Sequence, residues 1–409
     1  MSTTEATRKM TGGAASDAER RASGWLAEQL RKRNREVEVE PVSVRISEIG
    51  TISIHCLLAV IGALIGLDIP LLGAAICLFT AFSFYMERSL GYAVIGLVLP
   101  RRATQNVISA PPSARIMDGV TTILCAGYDL PAPNPVNDTL INLTAGRVTI
   151  DRIAFWGGMV LAFFATMLRL AAADGAFADI IQMIASVILL GILASQVDRF
   201  FAGTPEPGPE GLSSCEAILA VIDEADENAP LNARAPLAVC FFGAESVQSK
   251  GAAAYFSSHQ VGNHLMRPLI VNYLRGAGGK AALTAREGDL ATLKMDGAAD
   301  LDTEVDFETV RLSRLTSATV ARRHGLRAVT VLDNNDDAID LGLDLFDSAT
   351  PKDPEFGSAS PKDPGFGSEP QGDRDTEQRS RKSRGASSSL ERARKFARTD
   401  DEDGDPEDA

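Results

Sequence analysis

"TTILCAGYDLPAP", residues 121–133, decides the fold of this chain. A β-branched and apolar run climbs into a small-residue turn, then Tyr128, Asp129 and two prolines. Strands that end this way often deliver a metal ligand or a catalytic residue to the C-terminal edge of a parallel sheet. Yet the position at that edge is Gly127, which has no side chain to deliver.

Outward from this strand, helical and strand patterns alternate. "DAERRASGWLAEQL" (17–30) has one apolar face through Ala22, Trp25, Leu26 and Leu30, with Ser16 or Asp17 as its cap. "VEVEPVSVR" (37–45) alternates at period two. "ATQNVISAPP" (103–112) and the strand at 121 read as a strand pair. A helix at "CEAILAVIDEADEN", a buried strand at "APLAVCFFGAES", a helix at "KGAAAYFSSHQ" and a strand at "RPLIVNYL" follow. "SATVARRHGLRAVTVLD" is a last helix and strand. The expected fold class is α/β: a mixed, largely parallel sheet flanked by helices.

Two long apolar blocks interrupt this pattern. "TISIHCLLAVIGALIGLDIPLLGAAICLFTAFSFYM" (51–86) is split by Asp68 and Pro70 into two stretches of near-spanning length. "SLGYAVIGLVLP" (89–100) is too short to span alone; it extends the second helix or lies at the interface. Residues 153–197, broken by "AAADGAFAD", supply two more spans. These stretches are apolar all round, so they predict membrane hairpins rather than core helices. Arg31, Lys32, Arg33, Arg35, Arg45, Arg101, Arg102, Arg147, Arg152 and Arg199 flank the spans on one side. The excess of positive charge predicts that the soluble segments and both termini face the cytoplasm of a multi-pass cell-membrane protein.

Net charge is −14, which argues against nucleic acid as a partner. Cys56, Cys77, Cys125, Cys215 and Cys240 form no C-x-x-C pair and read as buried thiols. The polar, charged N-terminus predicts no cleavable signal peptide.

The order of motifs resembles the co-catalytic two-zinc aminopeptidase family (M28 type, with glutamate carboxypeptidases among its relatives). "TQNVI" with "ILCAGYD" resembles its first ligand strand, where the family has Ala-His-Tyr-Asp. "PGPEGLSSCEAILAV" resembles its second ligand loop and helix, "CFFGAES" its Phe-Gly-Ala-Glu-Glu turn, and "IVNYL" its Val-Asn-Leu-Asp strand. "GLRAVTVLDNNDDAID" resembles its closing strand, and 17–45 its first helix and strand. The resemblance covers nearly all of the soluble part and implies a zinc-aminopeptidase-like fold.

It also implies where a two-zinc site would stand. The first His falls on Gly127, the bridging Asp on Gly211 beside Glu210, and the second of two Glu on Ser246. The Asp of the fourth motif falls on Leu274, and the final His has no counterpart among Asn334, Asn335 and Asp336. Glycine and leucine carry no donor, and serine is a poor zinc ligand at neutral pH. Glu245 keeps the general-base position and Asp129 the orienting one, both as vestiges. None of His55, His259, His264 and His324 matches a ligand position. The expectation is a degenerate membrane-bound pseudoenzyme without zinc, whose cleft binds a peptide or protein partner. The alternative is an active metallo-aminopeptidase with Glu245 as base and displaced ligands such as Glu210 and Asp129, which would need zinc.

Other signals are weaker. The Gly-rich turn before Lys280 has Leu274 where a phosphate loop needs its first Gly and Ala281 where it needs Ser or Thr, so it reads as an ordinary loop. Asp333, Asp336 and Asp337 lack EF-hand spacing. Arg169 reads as a snorkelling residue at a span's end, and few polar residues are expected to face each other inside the spans. Sequons at Asn137 and Asn142 matter only if the orientation is reversed.

The expected organisation is 1–48, 101–152 and 199–346 as one peptidase-like domain, with hairpins at 49–100 and 153–198 inserted into it. Residues 347–409, with a repeated Pro-Lys-Asp-Pro-x-Phe-Gly-Ser unit bearing Phe356 and Phe366, read as a disordered tail with its own docking partner.

Overall fold

The computed structural model describes residues 12–110, 120–131, 150–171, 175–202, 211–228, 237–259, 268–275, 282–288, 292–295, 308–312, 314–333 and residue 345. Glu210, His264, Lys280, Asn334, Asn335, Asp336, the two sequons and the tail lie outside them.

Ser16 caps α1 (Asp17–Lys32) by accepting the Glu19 N–H at 3.1 Å. Ala22, Leu26 and Leu30 are fully buried, as their spacing requires, while Trp25 is only partly covered. The strands follow as β1 (Glu36–Val44), β2 (Arg102–Ala110), β3 (Thr122–Gly127), β4 (Leu237–Phe242), β5 (Leu269–Arg275), β6 (Ala282–Glu287), β7 (Leu293–Lys294), β8 (Glu308–Leu312) and β9 (Arg327–Asp333). They form one mixed sheet in the order β1-β2-β4-β3-β5-β9-β6-β7, with β8 beside β6.

The central strands β4, β3, β5 and β9 run parallel; β1–β2, β2–β4, β6–β7 and β6–β9 are antiparallel, and β8 pairs with β6 in parallel. Their side chains are buried on both faces, as crossover helices in such sheets demand. Those helices include α6 (Ser213–Glu227), α7 (Lys250–Ser258) and α8 (Ser317–Arg323). One expectation is corrected. β2 and β3 are not neighbours: β4 lies between them, with Cys240 opposite both Ile108 and Cys125. A strand as apolar as β4 gains most from the interior position. The Gly-rich turn before Lys280 lies outside the described residues; "ALTARE" after it forms β6, a strand the sequence reading did not assign. Its inward polar residues hide the alternation: Glu287 is fully buried and accepts from Thr284 Oγ1 at 2.5 Å and Thr319 Oγ1 at 2.7 Å.

Among the described residues, four helices are long and apolar enough to cross a membrane. They are α2 (Glu48–Asp68), α3 (Pro70–Tyr85, continued by a π-helical turn Met86–Leu90), α4 (Ile150–Leu170) and α5 (Ala176–Phe201). Together they make a bundle in which α2 packs on α3 and α5, and α4 on α3 and α5. Small residues such as Ala59, Ala63, Ala162 and Ala185 fill its interior. Phe84, Phe155, Met159 and Leu189 join them there, while many other large apolar residues face outward: Leu71 is 67% exposed and Val187 64%. A water-soluble bundle has the opposite arrangement, whereas lipid offers no reason to hide leucine. The hairpins leave the sheet between β1 and β2 and between β3 and β4.

The bundle holds more internal polar contacts than its hydropathy suggests. His55 is fully buried, with Nδ1 2.7 Å from the Thr51 carbonyl and Nε2 3.0 Å from Ser83 Oγ. Gln182 donates to the Ala63 carbonyl. Arg169 does not snorkel freely: it pairs with Asp179 across the second hairpin and reaches Gln182 Oε1 at 3.3 Å. In each case a partner on the neighbouring turn or helix removes the cost of an unpaired polar group. Residues 89–100 resolve into two parts. The π-helical turn ends at Gly91, whose φ of 78° is left-handed, and a 3₁₀ turn at Ile95–Val98 follows.

Candidate functional site

The site is built on the turn after β4, residues 243–249. Gly243 is required there, since a Cβ would fall 2.1 Å from Thr104 Oγ1 and 2.7 Å from the Gln105 carbonyl. Ala244, Gln248 and Ser249 all have left-handed φ values, between 51° and 58°. Each such residue costs on the order of 1–2 kcal/mol and persists only where its surroundings dictate it.

Buried carboxylates supply those surroundings. Glu19 of α1 accepts from the Ala244 N–H at 2.9 Å and from Thr104 Oγ1 at 2.8 Å. Asp129, two residues past β3, accepts from the Glu245 N–H at 2.7 Å, from the Ser246 N–H at 3.1 Å, and from the Ser246 hydroxyl. Glu245 turns toward α8, accepting from the Ser317 N–H and Ser317 Oγ, each at 2.8 Å, and from Ser249 Oγ at 2.9 Å. An ionised carboxylate has about four lone-pair directions. Asp129 meets donors on both oxygens, and so does Glu245.

Burial dominates the electrostatics. It pushes the Asp129 carboxyl up to about 7; the Ser246 hydrogen bond opposes this, while the charges of Glu19 and Glu245 add to it. Burial also raises Glu245, against the pull of Ser317, Ser249 and the Arg314 charge. Glu19 moves up for the same reason, opposed by Thr104 and the Ala244 N–H.

Gly127 lies directly beneath Glu245: a Cβ there would stand 2.4 Å from both Cβ and Cγ of Glu245. Beside it, Cys215 Sγ of α6 is 3.7 Å from the Gly127 carbonyl. Gly211 forms the turn that leads into α6 and is half-buried, and Leu274, also half-buried, stands near the end of β5 opposite Leu332. The structure thus brings Gly127, Asp129, Glu245 and Ser246 together. Among the described residues, no three His, Cys, Asp or Glu side chains converge as a metal centre needs. His259 closes α7, stacked on Tyr255 at 4.4 Å between ring centroids, and His324 follows α8 near Phe256.

Three participants escape a sequence reading. Glu19 left one trace, an acidic residue three before Ala22 on the buried face of α1. Ser249 and Ser317 left none, because only the fold brings them to Glu245.

No family model matches the chain, and no curated protein does. Solved structures do. The chain is similar to an aminopeptidase from Aneurinibacillus sp. strain AM-1, with 10% identity over 85% of this chain and 91% of that one, at a TM-score of 0.35. It is also similar to BSAP, a zinc aminopeptidase from Bacillus subtilis, with 10% identity over 85% of this chain and 92% of that one, at a TM-score of 0.37. Neither likeness carries chemistry to this chain.

Proposed function

We propose that this is a multi-pass membrane protein whose cytoplasmic aminopeptidase-like domain is non-catalytic and acts by binding a peptide or protein partner. One observation carries the reading: Glu245, at the position of a general base, is tied to Ser317 and Ser249 and fills the space above Gly127. A base needs a free lone pair within reach of the proton it takes. This carboxylate instead fastens the turn after β4 to α8.

The described residues also fit a two-zinc centre poorly. Position 127 has no room for an imidazole, Leu274 has no donor atom, and the Ser246 hydroxyl is committed to Asp129. Asp129 serves the turn, where a second-shell carboxylate would hold a histidine. The turn, the helix and the carboxylates together keep a rigid frame, which is what a recognition surface requires.

The test is zinc content of the full chain, purified in neutral detergent without chelator and dialysed, together with hydrolysis of aminoacyl substrates. Well under one zinc per chain and no chelator-sensitive hydrolysis are expected. About two zinc per chain, with hydrolysis lost in Glu245→Gln, would overturn the reading in favour of an active metallopeptidase.

A further inference from the structure

Where the first hairpin meets the sheet, the molecule has a cavity of about 40 Å³. That is room for roughly three water molecules. Arg45, Arg88, Lys250, Glu48, Glu87 and Gln248 are among the residues that line it. Both acids are already engaged. Glu48 pairs with Arg88 and lies 3.6 Å from Arg199. Glu87 Oε1 accepts the N–H groups of Val94 and Gly96, each at 2.6 Å.

Two cations remain. Lys250 Nζ reaches only the Gly91 carbonyl, at 3.4 Å, and forms no ion pair among the described residues. Burial lowers its pKa, partly offset by Glu87, and the charges of Arg323 and Arg45 lower it further. Among the described residues, Arg45 Nε is buried without a hydrogen-bond partner. A buried donor left unpaired is costly, and two neighbouring cations raise the cost. An anion entering between them would remove both penalties.

The cavity also lies at the ends of candidate membrane spans. Its lining comes from the start of α2 and the end of the α3 turn, the ends of two apolar spans. Exposed Tyr92 sits beside it in sequence. Tyrosine and tryptophan at span ends favour the headgroup layer, because their rings are apolar with a polar tip.

We propose that this cavity binds a phosphate group through Arg45 and Lys250, supplied by an anionic phospholipid headgroup or by free phosphate. The shared chemistry is a tetrahedral anion held by a guanidinium and an ammonium.

The experiment measures thermal unfolding of the full chain in neutral detergent, titrated separately with dioctanoyl phosphatidylglycerol, inorganic phosphate and dioctanoylglycerol. Phosphatidylglycerol is expected to raise the midpoint saturably, and dioctanoylglycerol is not. Arg45→Gln with Lys250→Met should weaken the phosphatidylglycerol response by about tenfold or more. Gln248→Glu keeps both cations, adds a carboxylate to the lining and should weaken it too, which separates binding from misfolding. If inorganic phosphate saturates as tightly as the lipid, the source is the free anion and the site stands. If dioctanoylglycerol stabilises equally, or neither variant changes the phosphatidylglycerol response, the proposal is overturned.

Discussion

Glu245 occupies the space that any side chain on residue 127 would need. Its Cβ and Cγ each lie 2.4 Å from where a Cβ on Gly127 would stand, although the two residues are far apart in the chain. The glycine at the end of β3 is therefore a packing requirement of the turn after β4. Both ends of that contact are pinned, Glu245 by Ser317 and Gly127 by its place in the sheet.

Gly127→Ala should therefore destabilise the protein by roughly 1–3 kcal/mol, the usual cost of overpacking a tight interior. Gly24→Ala is the matched control, since a Cβ at that position in α1 meets nothing within 4 Å. It should be neutral or stabilising by up to about 1 kcal/mol, because alanine is the better helix former. Denaturant unfolding in neutral detergent reads both. Equal effects of the two substitutions would mean that the Glu245 contact is not what selects glycine at 127.

Stability should fall with rising pH across the mildly acidic range. An unfolded Asp titrates at about 3.9, whereas Asp129 in the fold titrates at about 7. Between those values the native state holds a proton that the unfolded state has released. The stabilisation is thus complete below about pH 4 and is lost as pH rises through about 7, at up to about 1.4 kcal/mol per unit. Glu19 and Glu245 are shifted the same way and add to the slope. Melting curves at pH 5.5 and pH 8 should show the higher midpoint at pH 5.5. Asp129→Asn should flatten the difference, and an opposite slope in the wild type would contradict the assignment.

In the first hairpin, Gly73→Ala should disrupt the contact between α2 and α3. A Cβ on Gly73 would fall 2.4 Å from Gly66 Cα and 2.6 Å from the Gly62 carbonyl, and neither backbone atom can move aside cheaply. A loss of roughly 1–3 kcal/mol is expected. A Cβ on Gly191 of α5 would meet nothing within 4 Å, so Gly191→Ala should leave the melting midpoint in detergent nearly unchanged. A larger loss at 191 than at 73 would argue against close backbone packing in this hairpin.

The helices and spans were legible because their signals are local. The apolar face of α1, the capping serine and the length of each apolar run depend on residues within a few turns of one another. The alternation of strands and helices pointed to the mixed α/β sheet, and Gly127, Ser246 and Leu274 were legible only as residue types. The neighbours of each strand were less legible. Inserting β4 between β2 and β3 is a choice about burial across the whole sheet, and β6 was hidden because Thr284 and Glu287 are buried in it beside Ala282 and Leu283.

By itself, the sequence determined that strands and helices alternate, that two apolar hairpins interrupt them, and that positions 127, 246 and 274 carry glycine, serine and leucine. Periodicity, length and donor chemistry are properties of single segments, so they can be read without knowing what those segments touch. Only the tertiary structure decided what the remaining acids do. Asp129 meets its donors 116 and 117 residues away, and Glu245 meets Ser317 across 72 residues. A buried carboxylate takes its role and its pKa from whichever donors and charges surround it, and those are set by the packing of distant segments.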